Sequence, residues 1–222
     1  MSHVLGRRLA GVALVLLALG GCTYEVGFEP DYVPPERPPY IAQGKILVVV
    51  PKDQENFVYE GGPASRVGDF TKMSIPIGEI FRDISEEVFG SCFAQGVVFA
   101  NDRSSEDDYV IAVEANLQSF LYRYGEVIDT GFSGEQADTW IVPQVEIALD
   151  VSAYNARGEL LLRDTYESGI VAGEEYRTAT RPAERVNETL HATLHRLMLN
   201  VADDLRPLLI GECEVEDLAA GS

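Results

Sequence analysis

Four groups of residues in this 222-residue chain have types that could do chemistry: cysteines at 22, 92 and 213, histidines at 191 and 195, carboxylates after residue 101, and a serine in Gly131-Phe132-Ser133-Gly134. His191 and His195 stand one helical turn apart with Glu188 one turn earlier, a spacing that can hold zinc once another ligand arrives from elsewhere. No H-E-x-x-H occurs, and His3, the remaining histidine, falls in the leader described below. The expectation is therefore a solvated helix flank. Asp102, Glu106, Asp107 and Asp108 lack the alternating ligands, central Gly and distal Glu of a calcium loop, so they read as a solvated turn. The serine lacks the Gly-x-Ser-x-Gly spacing of a nucleophile elbow. No catalytic residue, metal ligand or cofactor site is expected.

The cysteines are more informative. Arg7 and Arg8 precede an apolar run from Leu9 to Leu19, which small residues separate from Cys22, the three-part pattern of a secretory leader. The run is too short to span a bilayer, which takes about 20 residues. Leu19-Gly20-Gly21-Cys22 resembles a lipobox, the signal of bacterial lipoproteins. That resemblance implies an acylated Cys22 as the first mature residue; plain secretory cleavage, leaving a thiol, is the alternative. Thr23 stands where Asp retains enterobacterial lipoproteins at the inner membrane, so the resemblance implies an outer-membrane position facing the periplasm. In an oxidising compartment Cys92 and Cys213 form an even pair, and a disulfide between them is expected. Closing a loop of about 120 residues stabilises by about 4 to 5 kcal/mol on the chain-entropy model. The alternative is a buried Cys92 acting as a small hydrophobe.

Arg7 and Arg8 leave with the leader, so 15 basic and 36 acidic residues remain, a formal charge of −21. Such a surface repels phosphate backbones, which excludes nucleic acid as a natural partner. Membrane contact then falls to the acyl chains on Cys22.

The elements that must carry these residues follow from patterning. Residues 1–21 are the signal, 22–44 a tether rich in Pro and acid, 45–210 one domain, and 211–222 an acidic tail. Fully extended, the tether reaches about 65 Å; its PPERPP run also has the backbone of a ligand for a groove-bearing partner. Ile46 to Val50 reads as a buried strand, and residues 51 to 73 as either a partner-contact loop or a small β excursion. Ser74 is placed to cap a helix to Gln95, with Ile77, Ile80, Phe81, Ile84, Val88 and Phe89 on one face. Val97 to Ala100 is a second strand. Val113, Ala115, Leu117, Ser119 and Leu121 alternate with Glu114, Asn116, Gln118, Phe120 and Tyr122, and Ile141 to Ala153 alternates likewise. A turn at Asn155 to Gly158 leads into a last strand, Glu159 to Ala172, and a helix from Pro182 to Arg206 closes the domain. The expected fold is α+β: a two-layer sandwich, mostly antiparallel sheet of about five strands, two helices on one face, the other face open.

The helix from Pro76 to Gln95, the strand from Tyr109 to Tyr124 after an acidic loop, the strand pair joined by Tyr154 to Leu160, and the closing helix resemble the YajG-type lipoproteins and the auxiliary lipoproteins of ABC-type transporters. That resemblance covers about residues 45 to 208. It implies a non-catalytic module within an envelope transport or assembly complex, and it carries over no functional residue beyond Cys22. The expected partners are the membrane, through Cys22, and an envelope protein or a second copy at the open sheet face or an edge strand. The alternative is an envelope carrier of a small ligand or lipid, or a hydrolase, which would need converging chemistry or a deep cavity.

Overall fold

Ile46-Leu47-Val48-Val49 has no polar residue to turn outward, and it forms a strand buried on both faces. It sits inside a sheet described by a computed structural model covering residues 23–25, 42–68, 72–104, 108–129, 138–177 and 182–219. Cys22, most of the 22–44 segment, Glu106, Asp107 and Gly131 to Gly134 lie outside the described residues, as do side chains from residue 210 onward, Cys213 included. In chain order the elements are β1 (Thr23–Glu25), β2 (Ile46–Val49), α1 (Lys52–Glu55), β3 (Tyr59–Gly61), β4 (Lys72–Ile75), α2 (Ile77–Cys92), β5 (Val97–Ala100), β6 (Ile111–Asp129), β7 (Asp138–Asn155), β8 (Leu160–Glu167), β9 (Val171–Ala172), β10 (Tyr176–Arg177) and α3 (Pro182–Ala219).

The main sheet runs β5-β2-β6-β7, and its far edge is made in relay by β8, β9 and β10, each paired with β7. Gly169, at φ +59°, breaks the single last strand expected from Glu159 to Ala172. β2 lies parallel to both β5 and β6, while β6, β7 and β8 are antiparallel. Both long helices pack on one face. From α2, Ile77, Ile80, Phe81, Ile84, Val88 and Phe89 enter the core, and Val186, Leu190, Leu194, Leu197, Met198, Val201 and Leu205 enter from α3. The fold is the α+β two-layer sandwich expected.

Parallel β5 and β6 flank β2, so the chain must cross back between them. Tyr109 on that crossing packs with Leu47, Val49 and Ala112, which is why both faces of β2 are apolar. Past this point no described residue covers the opposite face of the sheet.

Local details depart from the sequence expectations. The alternation in β6 holds to Leu117 and then inverts, because Gln118 is an extra residue: Leu117 pairs with Leu149, but Ser119 pairs with Ala148. One inserted residue moves every later side chain to the other face. Tyr122 and Tyr124 therefore point into the core, and Leu121 is exposed. Ser74 belongs to β4 and does not cap α2, whose N-cap is Pro76 with no side-chain bond. The helix from Pro182 runs through Pro207 to Ala219, beyond Arg206, so the boundary at 211 falls within it. Thr23–Glu25, expected in the tether, pairs with the edge of β4.

Residues 51 to 73 form the β excursion. With β1, strands β4 and β3 make a second sheet in the order β1-β4-β3. The excursion seals the half of β6 that β2 is too short to reach. Leu117 N–H donates to Gln54 Oε1 at 2.6 Å, Ala64 N–H to Tyr122 O at 2.8 Å, and Tyr124 N–H to Ser65 Oγ at 2.9 Å. Tyr122 OH donates to Gly61 O at 3.0 Å. Pairing this edge satisfies backbone groups that would otherwise invite another chain. Gly78 lets α1 approach α2: a Cβ there would lie 2.3 Å from the carbonyl oxygens of Gln54 and Glu55.

Candidate functional site

The uncovered face of β6, β7 and β8 forms a polar trough of about 660 Å³. β6 contributes Glu114, Asn116 and Gln118, β7 contributes Asp150, Ser152 and Tyr154, and β8 contributes Arg163, Asp164 and Thr165. Period-two alternation positions Glu114, Asn116, Asp150, Ser152 and Tyr154, whose neighbours in sequence are directed at the helices, and pairing with β7 sets Thr165 opposite Asp150 and Arg163 opposite Ser152. Val113, Ala115, Leu149, Val151 and Ala153 are those buried neighbours. Three carboxylates face one guanidinium on the lining, so the trough carries the sign of the whole protein.

Several of its side chains are braced. Thr165 OH donates to Asp150 Oδ1 at 2.7 Å, and Thr165 N–H to Asp164 Oδ1 at 2.7 Å. The Arg103 guanidinium lies 3.9 Å from the centre of the Tyr154 ring. Farther along the same face Arg123 bonds Glu146 at 2.7 Å, beside Leu121, which is 36 % exposed. Such a surface can offer hydrogen bonds and negative charge to a partner.

The histidines are not where the sequence placed them. Both are buried on α3, His191 at 6 % and His195 at 3 % exposure, which overturns the solvated-flank expectation. α3 is enclosed more widely than its leucine stripe indicates, because α2 packs against its flank and brings Glu87 Oε1 within 4.0 Å of His195 Nε2. Burial lowers the His191 pKa to about 4, and its Nε2 has no hydrogen-bond partner. Burial also lowers that of His195, opposed by the Glu87 carboxylate. Glu188 is engaged by Arg185 at 2.8 Å. Among the described residues no three His, Cys, Asp or Glu side chains converge as metal ligands.

Asp102 accepts bonds from the Ser104 amide, at 2.8 Å, and from the Ser104 hydroxyl, which hold its carboxyl below the usual range. Asp102 and Asp108 are exposed, as expected of a solvated turn, while Glu106 and Asp107 lie outside the described residues. Cys92 is fully buried on α2, and burial pushes the pKa of its thiol up to about 11. It is packed as a small hydrophobe; the pairing with Cys213 falls outside the described residues.

Between α1, α2, α3 and the sheet lies an apolar cavity lined by Val50, Phe57, Phe81, Leu117 and Leu194 among others, of about 20 Å³. That is room for about one water, whereas ligand pockets run to hundreds of Å³. Among the described residues no helix is long and apolar enough to cross a membrane.

Sequence reading found the β6 and β7 lining of the trough and missed Arg163, Asp164 and Thr165. Their signal was the mixed pattern of Leu160 to Glu167, whose polar residues alternate less cleanly. No family model matches the chain, and no curated protein matches it. Among solved structures, a Xanthomonas campestris protein of the DUF330 family superposes with a TM-score of 0.48 at 11% identity, covering 88% of this chain and 99% of that one. A Helicobacter pylori protein described as a homolog of neuraminyllactose-binding hemagglutinin gives 0.44 at 10% identity, covering 84% and 97%. At these values neither likeness bears on what this chain does.

Proposed function

We propose that this chain is a non-catalytic, lipid-anchored module of the cell envelope, held to the outer membrane by acylated Cys22 and docking an envelope protein through its open sheet face. The observation that carries the docking role is the polar trough across β6, β7 and β8, a surface carried on paired strands and left uncovered among the described residues. The lipobox-like Leu19-Gly20-Gly21-Cys22 supports the anchor. The resemblance of the sequence layout to YajG-type and ABC-transport auxiliary lipoproteins supports a place in an envelope transport or assembly complex. The acid-rich lining favours a partner with a basic surface, which electrostatic steering would bring in quickly and in register. The carrier alternative gains nothing from the apolar cavity between α1, α2, α3 and the sheet, which holds about 20 Å³.

The anchor is tested by labelling cells with radioactive palmitate and fractionating them. Wild-type chain is expected to carry label and sediment with membranes, and Cys22→Ala to remain an unlabelled, full-length precursor. Equal labelling of the two would overturn the anchor.

A further inference from the structure

Resting on the lipid-anchor reading, we infer that the small sheet β1-β4-β3 is the membrane-proximal face of the domain, clamped against the bilayer because β1 begins one residue after the lipid attachment point. In β1, Thr23 pairs with Lys72, Tyr24 with Met73 and Glu25 with Ser74, in parallel. Consecutive Cα atoms lie about 3.8 Å apart, so covalent geometry alone holds the Cys22 backbone within one residue of this ladder. Tyr24 shares a side with Met73, which is fully buried, while Tyr24 itself remains 43 % exposed. Lys72 is exposed beside the first pair, a cation suited to lipid phosphate on an otherwise acidic protein.

The chain docks again at Ala42, which bridges Phe93, donates its N–H to Cys92 O at 3.3 Å and accepts from Ala94 N–H at 3.0 Å. The Pro-rich stretch between Glu25 and Ala42 is thus closed at both ends. It adds no reach between acyl chains and domain, and the 65 Å stand-off available to a free tether of that composition is not used. The domain rides on the lipid surface.

The test uses the full lipidated chain in vesicles of phosphatidylethanolamine and phosphatidylglycerol, with a photoreactive benzophenone residue replacing Lys72 or, as control, Arg157 in the β7–β8 turn. Lipid adducts are expected several-fold more often from position 72 than from 157. A flexible Gly/Ser insert of roughly a dozen residues between Cys22 and Thr23 keeps β1 intact and lengthens the anchor, so it should lower the adduct at 72 to the level at 157. Tyr24→Pro, which disrupts the β1 ladder, should do the same. Equal adducts from both positions, or an adduct at 72 that neither change reduces, would overturn the inference. Mass analysis of the N-terminal peptide separates the two failures: an acylated Cys22 with no preference for position 72 leaves the anchor standing, and an unacylated Cys22 removes both.

Discussion

The two faces of the main sheet are built by the same strands and governed by different physics. On one face Ile147, Leu149, Val151 and Ala153 meet the leucine stripe of α3 and are almost fully buried. On the other, Asp150, Ser152 and Tyr154 alternate with them and look into an open trough. Burial explains the first face completely; each buried aliphatic side chain there contributes about 1.5 to 3 kcal/mol. The second is polar and acidic, and the proposed docking role rests on that composition.

The sharpest way to break this division is to put a charge on the covered face. Val151→Asp places an unpaired carboxylate against the leucine stripe of α3, where Val151 is fully buried. It is expected to cost on the order of 5 kcal/mol or more, above ordinary core truncations. Urea denaturation checks this; an unchanged midpoint would mean that the covered face is not held by its burial.

Leu190→Ala removes a fully buried contact on the helix-covered face. An expected loss of about 2 to 5 kcal/mol, read from the same titration, marks that face as structural.

Acid should weaken the covered face before the open one. His191 binds protons more readily unfolded, at its ordinary pKa of 6.5, than folded, at about 4. The unfolded state therefore holds more protons between those values, and stability falls as pH drops through that window. The loss approaches about 3 kcal/mol at the bottom of it. Denaturation at pH 7 and pH 4.5 should show the fall, and His191→Phe should flatten it; an unchanged slope in that variant would assign the pH dependence to other groups.

The smallest effect belongs to the trough. Asn116→Ala and Ser152→Ala are each expected to shift stability by less than about 0.5 kcal/mol, because neither residue supports the core. A loss comparable to that of Leu190→Ala would mean that the trough is a structural surface.

The helix-covered face was legible in the sequence because burial imposes a period: 3.6 for Ile77 to Phe89 and Val186 to Leu205, two for Val145 to Ala153. The register of β6 was not, since a bulge adds a residue without any local signal, and Phe120, Tyr122 and Leu121 suit either face by type. The depth of His191 and His195 was hidden for a related reason: whether a helix flank is wet depends on a second helix distant in sequence. The excursion over residues 51 to 73 was half legible, its strand-like pieces visible and the β6 edge it seals not. For the trough, alternation exposed two strands of the lining, and the third required knowing that β8 pairs with β7.

The central claim, that the open face is a docking surface, is tested most directly by site-specific photocrosslinking in intact cells. A benzophenone residue replacing Asn116 in the trough is compared with one replacing Glu79, exposed on the outer side of α2. The account predicts a discrete, reproducible protein adduct from position 116 and none of that size from 79. Its loss on reversing the charge of Asp150 by Asp150→Lys, in a variant that still folds, would complete the result. No adduct from 116, or the same adduct from both positions, would contradict it.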